Sequence, residues 1–185
     1  MKFIKENSYL IFKLAINQLG MAVFGLVLAL AANKYPSVLL LVSVFAVGFY
    51  MVLIYTMMWE VGSKDGIKNK SRGIKCDTFK ATKITLIASS LNIVIFVLIL
   101  IGRIIMGDGS GSAGLYNVAV AIGGFAEAMY LGIINFITSC FESAKYTVTV
   151  IMYFIIIFPS VISATLAYLL GYNDKRLFPH RKTEK

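Results

Sequence analysis

Glu127 is the residue with the most chemistry to explain. It sits in LYNVAVAIGGFAEAMYLGIINFIT, residues 115–138, where it is the only charged side chain. A carboxyl in so apolar a stretch points to a functional site, because burying it unpaired is costly. Arg103, near the far end of the preceding apolar block, is the expected partner. Its long side chain can reach the headgroup zone from there. Such a pair can bind an ion, a headgroup or a small polar substrate; its plainer use is to tie two helices together. Asn17 and Gln18 in the first apolar block, and Ser89, Ser90 and Asn92 in the third, can line a polar path. Hydrogen bonding between helices is the commoner use of such residues.

The remaining chemistry-bearing residues exclude more than they suggest. Glu60 and Asp65 bracket Gly62, and paired carboxylates can serve acid–base catalysis. Here they stand among Lys64, Lys68, Lys70, Arg72 and Lys75 and are expected to form exposed ion pairs. His180 is the only histidine, so no metal site is expected, and no Ser/His/Asp or Cys/His set exists for hydrolysis. Cys76 and Cys140 are too far apart in sequence for a CxxC-type site. Cys76, beside basic residues near a membrane, is an acylation candidate or else a free thiol. There is no P-loop, and the one G-x-G-x-x-G spacing, Gly109, Gly111 and Gly114, falls in a loop between apolar blocks rather than after a strand, so no nucleotide or other cofactor is expected.

The elements that must hold these residues are membrane spans. The chain is 185 residues long and 58% apolar, with mean hydropathy +0.80. Its apolar residues come in blocks. The net charge of +9 is no sign of nucleic acid binding. The charges flank apolar blocks, where orientation in a membrane places them, and anionic lipid is partner enough.

The predicted fold is all-α and membrane-embedded. Four blocks are expected to cross: 14–32, 37–59, 84–106 and 148–170. A basic arm, 1–13, precedes the first. Ala29-Leu30-Ala31 within it fits a signal-peptide cleavage pattern, but Asn17 and Gln18 interrupt the apolar core, and retention as a helix is expected. Trp59 marks a membrane boundary. The polar stretch 60–83 reads as a basic cytoplasmic loop, its first half a poor helix former because of Gly62 and Gly66, with Asp77 placed to cap the next helix. Pro159 is expected to kink the last span. The tail 171–185 is basic again.

Residues 115–138 are the open question. Gly124, Ala128 and Gly132 recur every fourth residue, a ridge that would let another helix approach closely. If the segment enters and returns, bending at Gly123-Gly124, both termini are cytoplasmic and 15 of the 18 Lys/Arg lie inside. If it crosses, there are five spans and only eleven lie inside. The charge rule favours four crossings.

Trp59-Glu60-Val61-Gly62-Ser63-Lys64-Asp65, Met129-Tyr130-Leu131-Gly132 and Tyr168-Leu169-Leu170-Gly171-Tyr172 resemble a group of small uncharacterised membrane proteins of Gram-positive bacteria. The resemblance implies a bacterial cytoplasmic membrane and no activity. The expectation is therefore a non-enzymatic accessory or interaction subunit, contacting another membrane protein or a second copy through the small-residue ridge. The rival is a small transporter or channel component using Glu127 and Arg103.

The charge pattern yields a labelling prediction. With a membrane-impermeant thiol reagent and single-Cys variants, Cys140 labels in intact cells, whereas Cys76 and a tag after Lys185 stay protected until lysis. A protected Cys140 with an exposed tag would mean that 115–138 crosses.

Overall fold

The computed structural model describes residues 2–73, 77–107 and 114–175. Among them it is all-helical, with no strand. α1 spans Lys2–Ala32 and α2 spans Pro36–Arg72. α3 (Lys80–Ala88) and α4 (Ser90–Met106) follow, bent by 58° at Ser89. α5 (Gly114–Ala126) and α6 (Leu131–Cys140) are separated by a 3-10 turn, Ala128–Tyr130, and bent by 91°. α7 (Lys145–Ile155) and α8 (Ile157–Tyr172) close the chain. Three helical stretches are long and apolar enough to cross a membrane, and up to five if each bent pair counts as one span.

The helices are longer than the apolar blocks. α1 includes the basic arm, where Asn7 Nδ2 donates to the Phe3 carbonyl at 2.9 Å. Ala29 and Ala32, at the other end, pack with Leu39 of α2. The expectation that 60–72 is a poor helix is corrected: α2 runs unbroken past Trp59 to Arg72. It ends at Gly73, whose φ of 65° is the left-handed conformation that glycine adopts without strain. Glycine propensity is overridden here by packing. Gly62 and Gly66 lie against the backbone of Tyr168 and Tyr172, and Gly171 against that of Trp59. The same contact is held by Ser163 Oγ donating to the Met51 carbonyl (3.1 Å) and Trp59 Nε1 to the Lys175 carbonyl (2.8 Å). α2 and α8 therefore run parallel, with their C-terminal ends together.

α3 joins this pair from the opposite direction. Lys80 forms an ion pair with Asp65 of α2, which also accepts from the Tyr168 hydroxyl at 3.0 Å. Thr82 and Thr165 share a hydrogen bond of 2.9 Å. Asp77 turns the chain into α3 by accepting the Phe79 amide (3.1 Å) rather than by capping a helical residue. Pro159 cannot donate to the carbonyl of Ile155, and the α7–α8 break falls at the next residue, Ile156.

The 114–140 hairpin has both ends beside the start of α7. The Tyr116 and Tyr146 rings meet edge to face with centroids 5.4 Å apart, and a short 3-10 turn, Glu142–Ala144, links α6 to α7. Its bend lies at Glu127, not at Gly123-Gly124 as expected. Gly123 instead carries the Tyr153 ring. The turn divides the small-residue ridge, so its three members do not share one stripe. Gly124 stays on α5 in ordinary contact with Leu131. Ala128 is buried in the turn, and Gly132 packs on Leu39 with its amide donating to Ser43 Oγ at 2.8 Å.

The glycine contacts generate a stability prediction. Gly171→Leu forces α2 and α8 apart and costs about 3 kcal/mol. Gly48, which has open space around it, accepts Ala with no loss or a gain of up to about 1 kcal/mol. Unfolding of the two variants by SDS titration in micelles checks the contrast.

Candidate functional site

The deepest polar group in the bundle is Glu127, with 0% of its surface exposed. It sits at the break between α5 and the turn that follows. Its amide still closes the last turn of α5 on the Gly123 carbonyl (2.8 Å), and its own carbonyl accepts from Tyr130 (2.8 Å). The backbone thus bends sharply while keeping its hydrogen bonds, which irregular backbone inside a membrane requires.

Two amides from other helices meet the carboxyl. Gln18 Nε2 of α1 donates to Glu127 Oε1 at 3.1 Å and also to Asn92 Oδ1 of α4. Gln18 and Asn92 are both buried. Among the described residues, the second oxygen, Oε2, has no hydrogen-bond partner, and neither does Asn17 Nδ2. Around this trio stand three buried tyrosines, Tyr50 of α2, Tyr130 of the turn and Tyr153 of α7, all within electrostatic reach of Glu127. Tyr153 also donates to the Val120 carbonyl at 3.5 Å. Gln18 lies fourteen residues from the end of α1, and Tyr50 fourteen from the start of α2. At the helical rise, each is about 20 Å from that end of the bundle.

The structure brings Gln18 and Asn92 to Glu127, and not Arg103. Arg103 lies eleven residues beyond Asn92 on the same helix, about 16 Å further along. Its guanidinium donates to the Gly107 carbonyl. Glu127 belongs to no ion pair among the described residues. The signal for the true partners was present in the sequence, as polar residues interrupting two apolar blocks. Which of them would share one depth depended on the bend.

The basic candidates lie elsewhere. Lys64, Lys68, Lys70 and Arg72 are exposed on the polar end of α2, where Lys64 pairs with Glu60 at 2.6 Å. Asp65 forms its half-buried pair with Lys80, so the two carboxylates do not act together. Lys75, Cys76 and His180 lie outside the described residues, and Cys140 is exposed at the end of α6. No group of three or more His, Cys, Asp or Glu suited to a metal occurs among the described residues.

Chemically, the cluster offers one carboxyl, two amides and three phenols, supplied by the turn and four helices. It has no nucleophile beside a base. Glu127 stands between the C-terminal end of α5 and the N-terminal end of the helical stretch 128–140, so the poles of two helices meet at the carboxyl. Compared with known proteins, the chain matches no family model, no curated protein and no solved structure.

The shared hydrogen bonds of the trio generate a coupling prediction. Gln18→Ala and Asn92→Ala each cost about 0.5–2 kcal/mol. The double variant costs less than their sum by at least about 0.5 kcal/mol, because either change breaks the same chain. SDS-titration unfolding of the four proteins in the cycle checks it, and strict additivity would contradict a shared network.

Proposed function

We propose that the protein is a multi-pass carrier or channel component that takes a monovalent cation, the proton included, at Glu127. The single observation that carries this reading is the carboxyl itself. It is fully buried at a helix break, with one oxygen held by Gln18 and the other without a partner. Broken helices meeting near the membrane midplane are a recurring way of building cation sites, with helix C-terminal ends facing the positive charge. The accessory-subunit reading depended on Gly124, Ala128 and Gly132 as a contact surface. Ala128 and Gly132 are buried within this chain.

The topology that fits this function has four crossings: α1, α2, the α3–α4 pair and the α7–α8 pair. The 114–140 hairpin enters and returns on one side. Support comes from the Tyr116–Tyr146 contact and the short α6–α7 link, which keep its two ends at the start of α7. The parallel α2–α8 pair adds that the polar end of α2 and the end of α8 share a side. With 15 of 18 Lys/Arg on that side, it is the cytoplasmic one, of a bacterial cytoplasmic membrane. The exposed Lys64, Lys68, Lys70 and Arg72 there face anionic headgroups.

The test is proton and cation exchange in liposomes holding the purified chain and an internal pH dye. Outward or inward gradients of protons, sodium, potassium and methylammonium are imposed in turn. Wild-type protein accelerates the dye response to at least one of them, and Glu127→Gln, which keeps shape but loses the charge, slows that response at least about tenfold. Equal rates for the two proteins under every gradient would sink the reading.

A further inference from the structure

Among the described residues Glu127 joins no ion pair, yet its carboxyl is fully buried. A charge in that position is costly unless something neutralises it. Of the titratable groups that face it, Tyr50 of α2, Tyr130 of the turn and Tyr153 of α7 are phenols and bring no positive charge. α1 and α4 present amides to it, Gln18 directly and Asn92 through Gln18. Neutrality therefore comes from a metal cation or from a proton. The two make different demands on the same atoms.

A bare alkali ion needs oxygens turned toward one point, in place of its hydration shell. The cluster turns a donor there instead. Gln18 Nε2 lies between Glu127 Oε1, at 3.1 Å, and Asn92 Oδ1, and donates to both. Both amide hydrogens are thus spent, and the two oxygens that could ligate an ion face the positive end of an amide. Sodium sites at broken helices also recruit backbone carbonyls released by the break. Here the carbonyls of Gly123, Glu127 and Ala128 each accept a backbone amide. A proton asks for much less. It needs a lone pair and no room, and Oε2, the oxygen that Gln18 leaves alone, supplies the lone pair. The carboxyl then keeps Oε1 as the acceptor from Gln18 and carries its hydrogen on Oε2.

We infer that the cation taken at Glu127 is the proton, bound to Oε2, and that Gln18 is the residue that denies the site to alkali ions. The inference rests on the monocation reading of Glu127 and narrows it to one species. The Gln18 amide stands where an ion would have to stand, between Glu127 Oε1 and Asn92 Oδ1. A metal enters only by breaking both hydrogen bonds, which builds selectivity as a penalty on the wrong ligand. Proton transfer breaks neither, because it takes place on the other oxygen.

The test is infrared difference spectroscopy on the full chain in liposomes, between acid and alkaline buffers, with wild type compared against Glu127→Gln. Wild type shows the C=O stretch of a protonated carboxylic acid in excess of that variant. Replacing choline by lithium, sodium or potassium at fixed pH leaves the excess unchanged. Gln18→Ser exchanges the amide for a smaller hydroxyl and opens room beside Oε1. In this variant saturating sodium displaces the proton and lowers the excess at least about twofold. No excess in wild type, or an excess that an alkali ion lowers, overturns the inference; an excess in Gln18→Ser that ignores sodium overturns the role of Gln18. If alkali ions lower the excess in wild type and the liposome exchange depends on Glu127, proton selectivity falls and the monocation reading stands. If the excess ignores alkali ions but exchange does not depend on Glu127, the proton site stands and the carrier reading falls. If there is neither excess nor dependent exchange, both fall.

Discussion

A bend of 91° inside an apolar bundle is possible only where protein covers it. Lipid cannot hydrogen-bond the backbone groups that such a bend frees. The rest of the molecule follows from meeting that demand around Glu127. α1 brings Gly25 against the backbone of Met129, α2 brings Ser43 to the amide of Gly132, and α7 lays Tyr153 over Gly123. Each contact lies within a few residues of the turn, and each comes from a different helix. The carboxyl is fully buried under this cover. Gln18 and Asn92 then set its orientation, because one amide reaches both partners at once.

Glycine serves two opposite ends in this fold. At Gly73 it ends a helix through a positive φ. At Gly62, Gly66 and Gly171 it keeps helices intact and lets two backbones meet, since nothing larger than hydrogen fits between them. In a membrane, where apolar side chains gain nothing by leaving lipid for protein, close backbone approach is one of the few sources of attraction between helices. The α2–α8 contact uses it outside the apolar block as well as within, and so fastens the polar extension of α2 to the end of the last span.

The all-helical, membrane-compatible character was legible from block hydropathy alone. So was the weight on Glu127, because a lone carboxyl among 24 residues of this kind stands out. Its partners were legible only as types. Asn17, Gln18 and Asn92 were visible as polar interruptions, but Arg103 was the only opposite charge in reach along the sequence, and helical spacing gathered Gly124, Ala128 and Gly132 on one stripe. The turn at Ala128–Tyr130 divides that stripe, and no glycine or proline at 125–131 announces it; Arg103 lies too far along α4 to reach Glu127. Gly62 and Gly66 misled in the other direction, since propensity says break and the Tyr168 and Tyr172 backbones say pack. Local preference is weak beside a tertiary contact that exists only once the chain has closed.

That closure also sets an order of assembly. The Met51–Ser163 bond joins residues 112 apart in sequence. During synthesis the glycine face of α2 therefore waits for α8 while five further helices, α3 to α7, are made. Only when α8 emerges can the first and last thirds of the chain lock, which makes this seam the natural last step of folding.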